Sequence, residues 1–306
     1  MIDTRLNLTG LFAATYTPFN DDGSLNLDEI PQMVDYLGTR GISGLYVCGS
    51  TGEGMSLSTG ERQAVAETFV KAAGDTLTTV VHVGHNSLTE ARHLAAHAQQ
   101  IGADAVSATA PSYYKLTEVA LLVDCMEEIA SVAPALPFYY YDIPEMTGVE
   151  VDMVEFLRIG GERIPNLMGL KYTSLNIPEF QACLDFEDRR FEALWGNDEM
   201  LLSALVAGGQ AAIGSTYNIA GPLYNRLIEA FEKGDLEEGR RCQSLSVALI
   251  RQISKYPFHP AMKEIMKMNG IDCGPCRRPL GQLTTPQIDS LRKDLEEIGY
   301  FKWSRP

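Results

Sequence analysis

One lysine, Lys171, stands in an apolar stretch, where its chemistry would differ from that of a surface lysine. It follows Met168, Gly169 and Leu170 in a run of strand-forming residues. Burial lowers the pKa of a lysine and leaves more free amine at neutral pH, as a Schiff-base nucleophile requires. The alternative is a structural lysine at a strand end, paired with a carboxylate.

A glycine-rich loop, Gly49-Ser50-Thr51-Gly52-Glu53, joins another apolar run to a stretch of helical spacing. Two glycines allow a ligand to approach the backbone closely, and amides with two hydroxyls can hold a small anion such as a carboxylate. Loops of this composition are also common as ordinary turns. The motif alone therefore leaves both interpretations open.

Tyr141 closes the run PFYYYDIP at 137–144. A phenol at a strand end can transfer protons when its position suits. Its neighbours Tyr139 and Tyr140 indicate aromatic packing as the competing role. Because side chains alternate along a strand, only one or two of these tyrosines can face the same side.

Eight apolar runs alternate with helical stretches and would position these residues. The runs cover 9–19, 42–49, 78–84, 104–111, 137–144, 167–173, 191–196 and 211–218. Such alternation predicts βαβ units and a parallel sheet, and eight units favour a closed α/β (β/α)8 TIM barrel over an open doubly wound sheet. Catalytic residues of such barrels lie at the C-terminal ends of the strands.

Helix signals support the same organisation. Three capping-box patterns are predicted, at Ser58–Glu61, Ser87–Glu90 and Asn176–Glu179. After residue 219 only helical spacing follows, at 222–233, 236–254, 257–269 and 285–298. We therefore expect a barrel core at 1–220, and a barrel-closing helix with an appended C-terminal helical bundle at 221–306.

Composition restricts the class of protein. The chain has 306 residues, somewhat more than the roughly 250 of a typical barrel. Its net charge of −15 argues against nucleic acid as a partner, although not against a small anionic substrate. No segment predicts a signal peptide or a membrane span. The six cysteines do not suggest a disulfide framework, so we expect a cytoplasmic protein.

Three weaker patterns predict no site. Cys273-Gly274-Pro275-Cys276 has the spacing of a redox motif, but it follows a helix rather than a strand. His93 and His97 share a helix face without further metal ligands, and 20–23 lacks the later ligands of a calcium loop. No metal is predicted.

Six motifs, in order, identify the chain as similar to the N-acetylneuraminate lyase and dihydrodipicolinate synthase family of class I pyruvate aldolases. They are GSTGE at 49–53, YYYDIP with TGV at 139–149, GLKYTS at 169–174, GNDE at 196–199, GSTYN at 214–218 and HPAMKEIMKMNGID at 259–272. The resemblance extends from about residue 9 to residue 300, and it is nearest to the lyase subgroup.

The resemblance implies a role for each matching position. Lys171 would form the Schiff base, Tyr141 would transfer protons, and Tyr113 would act in a relay at a neighbouring subunit. Ser50 and Thr51 would bind the carboxylate of a 2-keto acid. The sugar-binding positions would be Thr173, Gly196, Asp198, Glu199 and Ser215. A homotetramer is the family's usual assembly, and no cofactor is expected because the iminium itself is the electron sink.

The subgroup prediction depends on fewer residues. The synthases usually carry an arginine where this chain has Met146, whereas GNDE and GSTYN resemble the lyases. Asp142 replaces the more usual Asn or His, and Glu145-Met146 replaces a small residue followed by Leu. We therefore predict cleavage of a 2-keto-3-deoxy sugar acid, with N-acetylneuraminate as the first candidate. The alternatives are a synthase or other 2-keto acid aldolase or hydratase, and a non-catalytic sensor of pyruvate-like ligands.

Overall fold

The computed structural model describes residues 6–305, and its eight strands form one closed parallel barrel in chain order. The strands are β1 (Gly10–Ala14), β2 (Gly44–Val47), β3 (Thr78–His82), β4 (Ala105–Ala108), β5 (Phe138–Asp142), β6 (Leu167–Tyr172), β7 (Glu192–Trp195) and β8 (Ala211–Gly214). The predicted barrel is confirmed.

The strands are shorter than the apolar runs that predicted them. Beyond β1, the side chains of Tyr16 and Phe19 stay buried although the chain has left the sheet. Buried loops keep a strand-like composition, so the runs extend past the last ladder hydrogen bond. The eighth run was wrong at its end, because Tyr217 and Asn218 already belong to a helix.

Helices follow the strands around the barrel. They are α1 (Ile30–Gly38), α2 (Thr59–Ala73), α3 (Leu88–Gln100), α4 (Val119–Ala130), α5 (Pro144–Thr147), α6 (Met153–Arg163), α7 (Ile177–Asp185), α8 (Leu201–Val206) and α9 (Tyr217–Glu232). In the first of them, Ile30, Met33, Val34 and Leu37 are buried. These residues form the apolar face that packs α1 on the barrel.

Only one of the three predicted capping boxes is reciprocal. The hydroxyl of Ser58 accepts from the Glu61 amide, and the Glu61 carboxylate accepts from the Ser58 amide. Ser87 and Asn176 accept from the amide three residues on. The corresponding glutamates are engaged elsewhere, Glu90 with Thr59 and Glu179 with Tyr172.

Within the described residues, four further helices follow: α10 (Leu236–Ile253), α11 (Phe258–Met268), α12 (Thr285–Glu297) and α13 (Tyr300–Trp303). The predicted division at 220/221 falls inside α9, next to Ala220, whose φ of −135° interrupts the helix. The segment between α11 and α12 contains Cys273 and Cys276, and burial raises the pKa of each thiol to about 12. A reactive redox pair would need lowered thiol pKa values instead.

The side chains of the strands form two apolar layers, one inside the barrel and one outside it. Side chains such as Phe12, Tyr46, Tyr139 and Tyr141 form a cluster inside the barrel, whereas the alternate residues pack against the helices. In the described part of the chain, no helix combines the length and the apolar character needed to cross a bilayer.

Candidate active site

Lys171 lies inside the barrel near the C-terminal end of β6. Its ammonium nitrogen, Nζ, sits 4.0 Å from the ring centroid of Tyr46 and 3.9 Å from that of Tyr141. Burial lowers the pKa of Lys171 to about 7, and the negative charge of Asp198 opposes this shift. A substantial fraction of free amine is therefore present at neutral pH, which is the state that attacks a ketone.

Tyr141 reaches Lys171 because β5 and β6 pair in parallel with these two residues directly opposite. The alternation predicted for the three tyrosines is present, since Tyr139 and Tyr141 lie in the inner cluster and Tyr140 in the outer one. Burial raises the pKa of Tyr141 to about 12, although the hydroxyls of Ser50 and Thr173 lower it. The phenol thus keeps its proton at neutral pH.

The glycine-rich loop lies beside this phenol at the same end of the barrel. Ser50 is exposed and Thr51 is buried. The loop is folded tightly, because a Cβ at Gly52 would lie 2.9 Å from the Thr15 carbonyl oxygen and one at Gly54 would lie 2.0 Å from that of Cys48. The Ser50 hydroxyl interacts with the Tyr141 phenol, so the loop offers hydroxyls and amides at this barrel end, where a small carboxylate could be bound.

Asp198 lies in a short 3-10 helix, Asp198–Met200, after β7. Its Oδ2 accepts hydrogen bonds from the Thr216 amide at 2.8 Å and from the Thr216 hydroxyl at 2.5 Å. A Cβ at Gly214 would lie 1.7 Å from Oδ1 of Asp198. Burial raises the pKa of Asp198 to about 6, and the Thr216 hydrogen bonds lower it. A fixed carboxylate therefore acts electrostatically on Lys171.

The other predicted sugar-binding positions surround the same barrel end. Thr173 and Gly196 are in contact, since a Cβ at Gly196 would lie 2.1 Å from the Thr173 hydroxyl oxygen. Glu199 and Ser215 are both partly exposed, next to Asp198 in sequence and at the end of β8 respectively. These positions, which follow β6, β7 and β8, are called the polar rim below.

Tyr113 is not brought to Lys171 within the single chain. Its side chain is 77% exposed on the loop between β4 and α4, and it packs edge-on against Tyr114 at a centroid distance of 5.0 Å. Its backbone amide donates to the Asn86 side chain at 3.0 Å. The predicted relay at a neighbouring subunit stays a prediction.

Two departures from the family pattern differ in exposure. Glu145 and Met146 are exposed in α5, near the mouth. Asp142 is buried behind the strands, and burial raises its pKa to about 7, with a further contribution from the charge of Glu179. The departure at position 142 thus places a buried carboxyl group one residue from Tyr141.

Sequence analysis did not identify two residues, Tyr46 and His82, that pack near Lys171. Tyr46 lies under the Lys171 ammonium, and its hydroxyl donates to Ser107 at 3.1 Å. Nε2 of His82 accepts from the Thr109 amide at 3.3 Å, and Nδ1 lies 3.2 Å from the Cys48 carbonyl oxygen. Both residues stand at or near the ends of predicted strands. Their position at strand ends was the sequence signal that could have identified them.

Arg62 was missed for a different reason. It lies in α2, where an arginine usually belongs to the solvated face, yet it is buried. Its guanidinium donates to the Gly84 carbonyl oxygen at 2.8 Å and to that of His82 at 2.6 Å. Burial and the charges of Arg62 and Lys171 lower the pKa of His82 well below its ordinary value. The imidazole is therefore neutral beside the lysine.

The chain is similar to one known protein family over almost its whole length. The model of the dihydrodipicolinate synthetase family matches residues 7–298. The chain belongs to this family. It is also 42% identical over 296 residues to the N-acetylneuraminate lyase of Xenopus tropicalis, covering 95% of this chain and 97% of that protein.

Two further relatives agree with this assignment. The human N-acetylneuraminate lyase is 40% identical over 305 residues, covering 98% of this chain and 95% of that protein. The solved structure of Proteus mirabilis N-acetylneuraminate lyase is similar with a TM-score of 0.93 at 38% identity, covering 96% of this chain and 99% of that one. The resemblance to the lyase subgroup and the assignment as a carbon–carbon lyase are thereby confirmed.

Proposed function

We propose that this family member cleaves N-acetylneuraminate to pyruvate and N-acetylmannosamine through a Schiff base on Lys171. The observation that carries the proposal is the position of the Lys171 amine, which is desolvated between Tyr46 and Tyr141 with its pKa lowered to about 7. The choice of sugar acid rests on the names of the relatives. The proposed Schiff-base chemistry rests on the position of the amine.

In the first step, the Lys171 amine attacks the C2 ketone of the open-chain sugar acid, and water leaves as the iminium forms. The substrate carboxylate lies against the amides and hydroxyls of Ser50 and Thr51, which are fixed before the substrate arrives. Removal of the C4 hydroxyl proton breaks the C3–C4 bond, and the bonding electrons pass into the iminium to give an enamine. Protonation at C3 and hydrolysis then release pyruvate and restore the amine.

The proton on Tyr141 decides how the C4 hydroxyl is deprotonated. With a pKa raised to about 12, the phenol is protonated at neutral pH and is a poor free base. We infer that it acts as a relay, accepting the C4 hydroxyl proton while it donates its own to the substrate carboxylate. The carboxylate is then the final acceptor, and no phenolate accumulates.

The sugar chain would lie along the polar rim of Thr173, Gly196, Asp198, Glu199 and Ser215. Carboxylates accept hydrogen bonds from hydroxyls. The ionised Asp198 and its neighbour Glu199 suit a polyhydroxy chain and disfavour a second carboxylate. Met146, in place of the arginine of the synthases, offers no cation for such a group.

Assembly and compartment remain predictions. We propose a homotetramer in the cytoplasm, in which Tyr113 reaches the site of a neighbouring subunit. Its exposed ring, paired with Tyr114, is available for such a contact.

The test is reductive trapping with pyruvate and borohydride, followed by mass spectrometry of the peptide that contains GLKYTS. One reduced pyruvyl group should be attached to Lys171. A panel of N-acetylneuraminate, related 2-keto-3-deoxy sugar acids, and pyruvate with aspartate semialdehyde then assigns the substrate by kcat/KM. Absence of the adduct would refute the Schiff base. A higher kcat/KM for the semialdehyde would favour the synthase activity instead.

A further inference from the structure

The carboxylate-binding loop is held from outside the barrel. Glu53 ends the loop with φ of 55°, in the left-handed region that a glutamate rarely adopts. Its amide donates to the Ser50 carbonyl oxygen at 3.1 Å, and the next amide, of Gly54, donates to Gly49 at 3.1 Å. The positions of Ser50 and Thr51 therefore depend on whatever keeps Glu53 in this conformation.

Two groups of the C-terminal extension hold the Glu53 carboxylate. Nζ of Lys263, in α11, lies 2.9 Å from Oε1, and both side chains are almost completely buried. The Arg277 amide donates to Oε2 at 2.8 Å. Both carboxylate oxygens are therefore engaged by residues more than 200 positions away in the sequence.

Lys263 also contacts the first barrel loop. Besides the Glu53 carboxylate, its ammonium donates to the Thr17 carbonyl oxygen at 2.9 Å and to that of Pro275 at 2.8 Å. The Thr17 hydroxyl in turn donates to the Gly52 carbonyl oxygen at 2.6 Å. One ammonium thus joins the loop after β1, the loop after β2 and the segment between α11 and α12.

A buried ion pair of this kind contributes little net stability, because desolvation offsets much of the attraction; fixing one arrangement of the chain is its better-supported use. We propose that Lys263 is a positioning residue for the carboxylate pocket: through Glu53 it sets the geometry of Ser50 and Thr51, so that affinity for the 2-keto acid depends on a side chain of the appended helices. This inference rests on the proposed function, since it takes those two residues as the carboxylate site.

The variant Lys263→Met tests the inference, with Met266→Ala as the matched control. Met266 is buried on the same helix, α11, so its truncation perturbs packing without altering the ionic contacts. Lys263→Met should raise the pyruvate concentration for half-maximal borohydride trapping by roughly tenfold or more, because a small misplacement of binding groups is costly. The trapping rate at saturating pyruvate should change by less than about threefold, since Lys171 is untouched.

Met266→Ala should lower the melting temperature and leave the half-maximal pyruvate concentration unchanged. An equal rise in both variants, or no rise in Lys263→Met, would overturn the positioning role. If Lys263→Met does not fold, the double variant Glu53→Gln/Lys263→Met leaves no unpaired buried charge, and it should show the same weakened pyruvate binding.

Amide hydrogen exchange gives a readout that does not depend on catalysis. Faster exchange across residues 49–54 is expected in Lys263→Met but not in Met266→Ala, whether or not the wild-type protein is trapped by pyruvate. Failure of trapping in the wild type would refute the proposed function. Unchanged exchange in the loop would refute the role of Lys263.

Discussion

The barrel and the C-terminal extension each bury a lysine, Lys171 and Lys263, and both residues are 4% exposed. Around Lys263 stand the Glu53 carboxylate and two backbone carbonyls. Around Lys171 stand the rings of Tyr46 and Tyr141, and within the described chain it forms no ion pair shorter than 4.0 Å. Equal burial therefore accompanies two different proposed roles, and the two ammonium groups differ in the partners that surround them.

The largest expected effect separates the two lysines directly. Lys171→Met should abolish pyruvate trapping and reduce kcat by a factor on the order of 10⁴ or more, because the nucleophile is lost. Lys263→Met should still be trapped. The comparison fails if Lys171→Met retains turnover, or if the pyruvyl group is found on Lys263.

The variant Tyr141→Phe tests the role of the phenol hydroxyl beside Lys171. Removal of the hydroxyl should lower kcat for sugar-acid cleavage by roughly 10²–10⁴, the usual share of a proton-transferring group, while trapping with pyruvate persists. The ring remains beside the amine, so its desolvation is retained. Rapid-quench kinetics with mass spectrometry separate the two steps, and a nearly normal kcat would mean that Tyr141 only packs.

The pH dependence of trapping tests the environment of the amine. Because the pKa of Lys171 is lowered to about 7, the trapping rate at low pyruvate should rise with pH through about 7 and then level off. In Asp198→Asn the midpoint should move to lower pH, since the charge that favours the ammonium is removed. A midpoint near that of an exposed lysine would contradict the proposed desolvation.

The smallest expected effect concerns two buried carboxyl groups, those of Glu53 and Asp142. Glu53 has a cationic partner, whereas the pKa of Asp142 is raised to about 7 by burial and by the charge of Glu179. An acid with a raised folded-state pKa stabilises the fold below its unfolded pKa, near 4, and this contribution is lost as pH rises through about 7. Asp142→Asn should therefore raise the free energy of unfolding at pH 8 by on the order of 1–2 kcal/mol relative to wild type, with a smaller gain at pH 5. Urea unfolding at both pH values measures the difference, and an equal gain at both would rule out titration of this group.

The sequence was sufficient to predict the barrel and the position of Lys171 beside Tyr141. Eight apolar runs marked the strands, and Lys171 and Tyr141 stood at the ends of two consecutive ones, which a parallel barrel brings side by side. Local periodicity carries this information because strand and helix spacing differ.

The supporting contacts were not predictable in the same way. The partners Glu53 and Lys263 are separated by most of the chain, and Arg62 reaches His82 from a helix rather than from a strand end. Neither contact leaves a periodic signal, because each depends on how an outer helix packs against the loops. The boundaries of β8 and α9 were displaced for a related reason, since a buried helix start resembles a strand in composition.

The packing of Gly214 against Asp198 limits how this enzyme can be redesigned. The space that any larger side chain would need at position 214 is already occupied by the carboxylate, 1.7 Å from the nearest possible Cβ. Directed evolution toward other sugar acids would therefore have to keep Gly214 fixed, or change it together with Asp198. Residues of the exposed rim, such as Glu199 and Ser215, are free of that constraint and are the better targets for a first library.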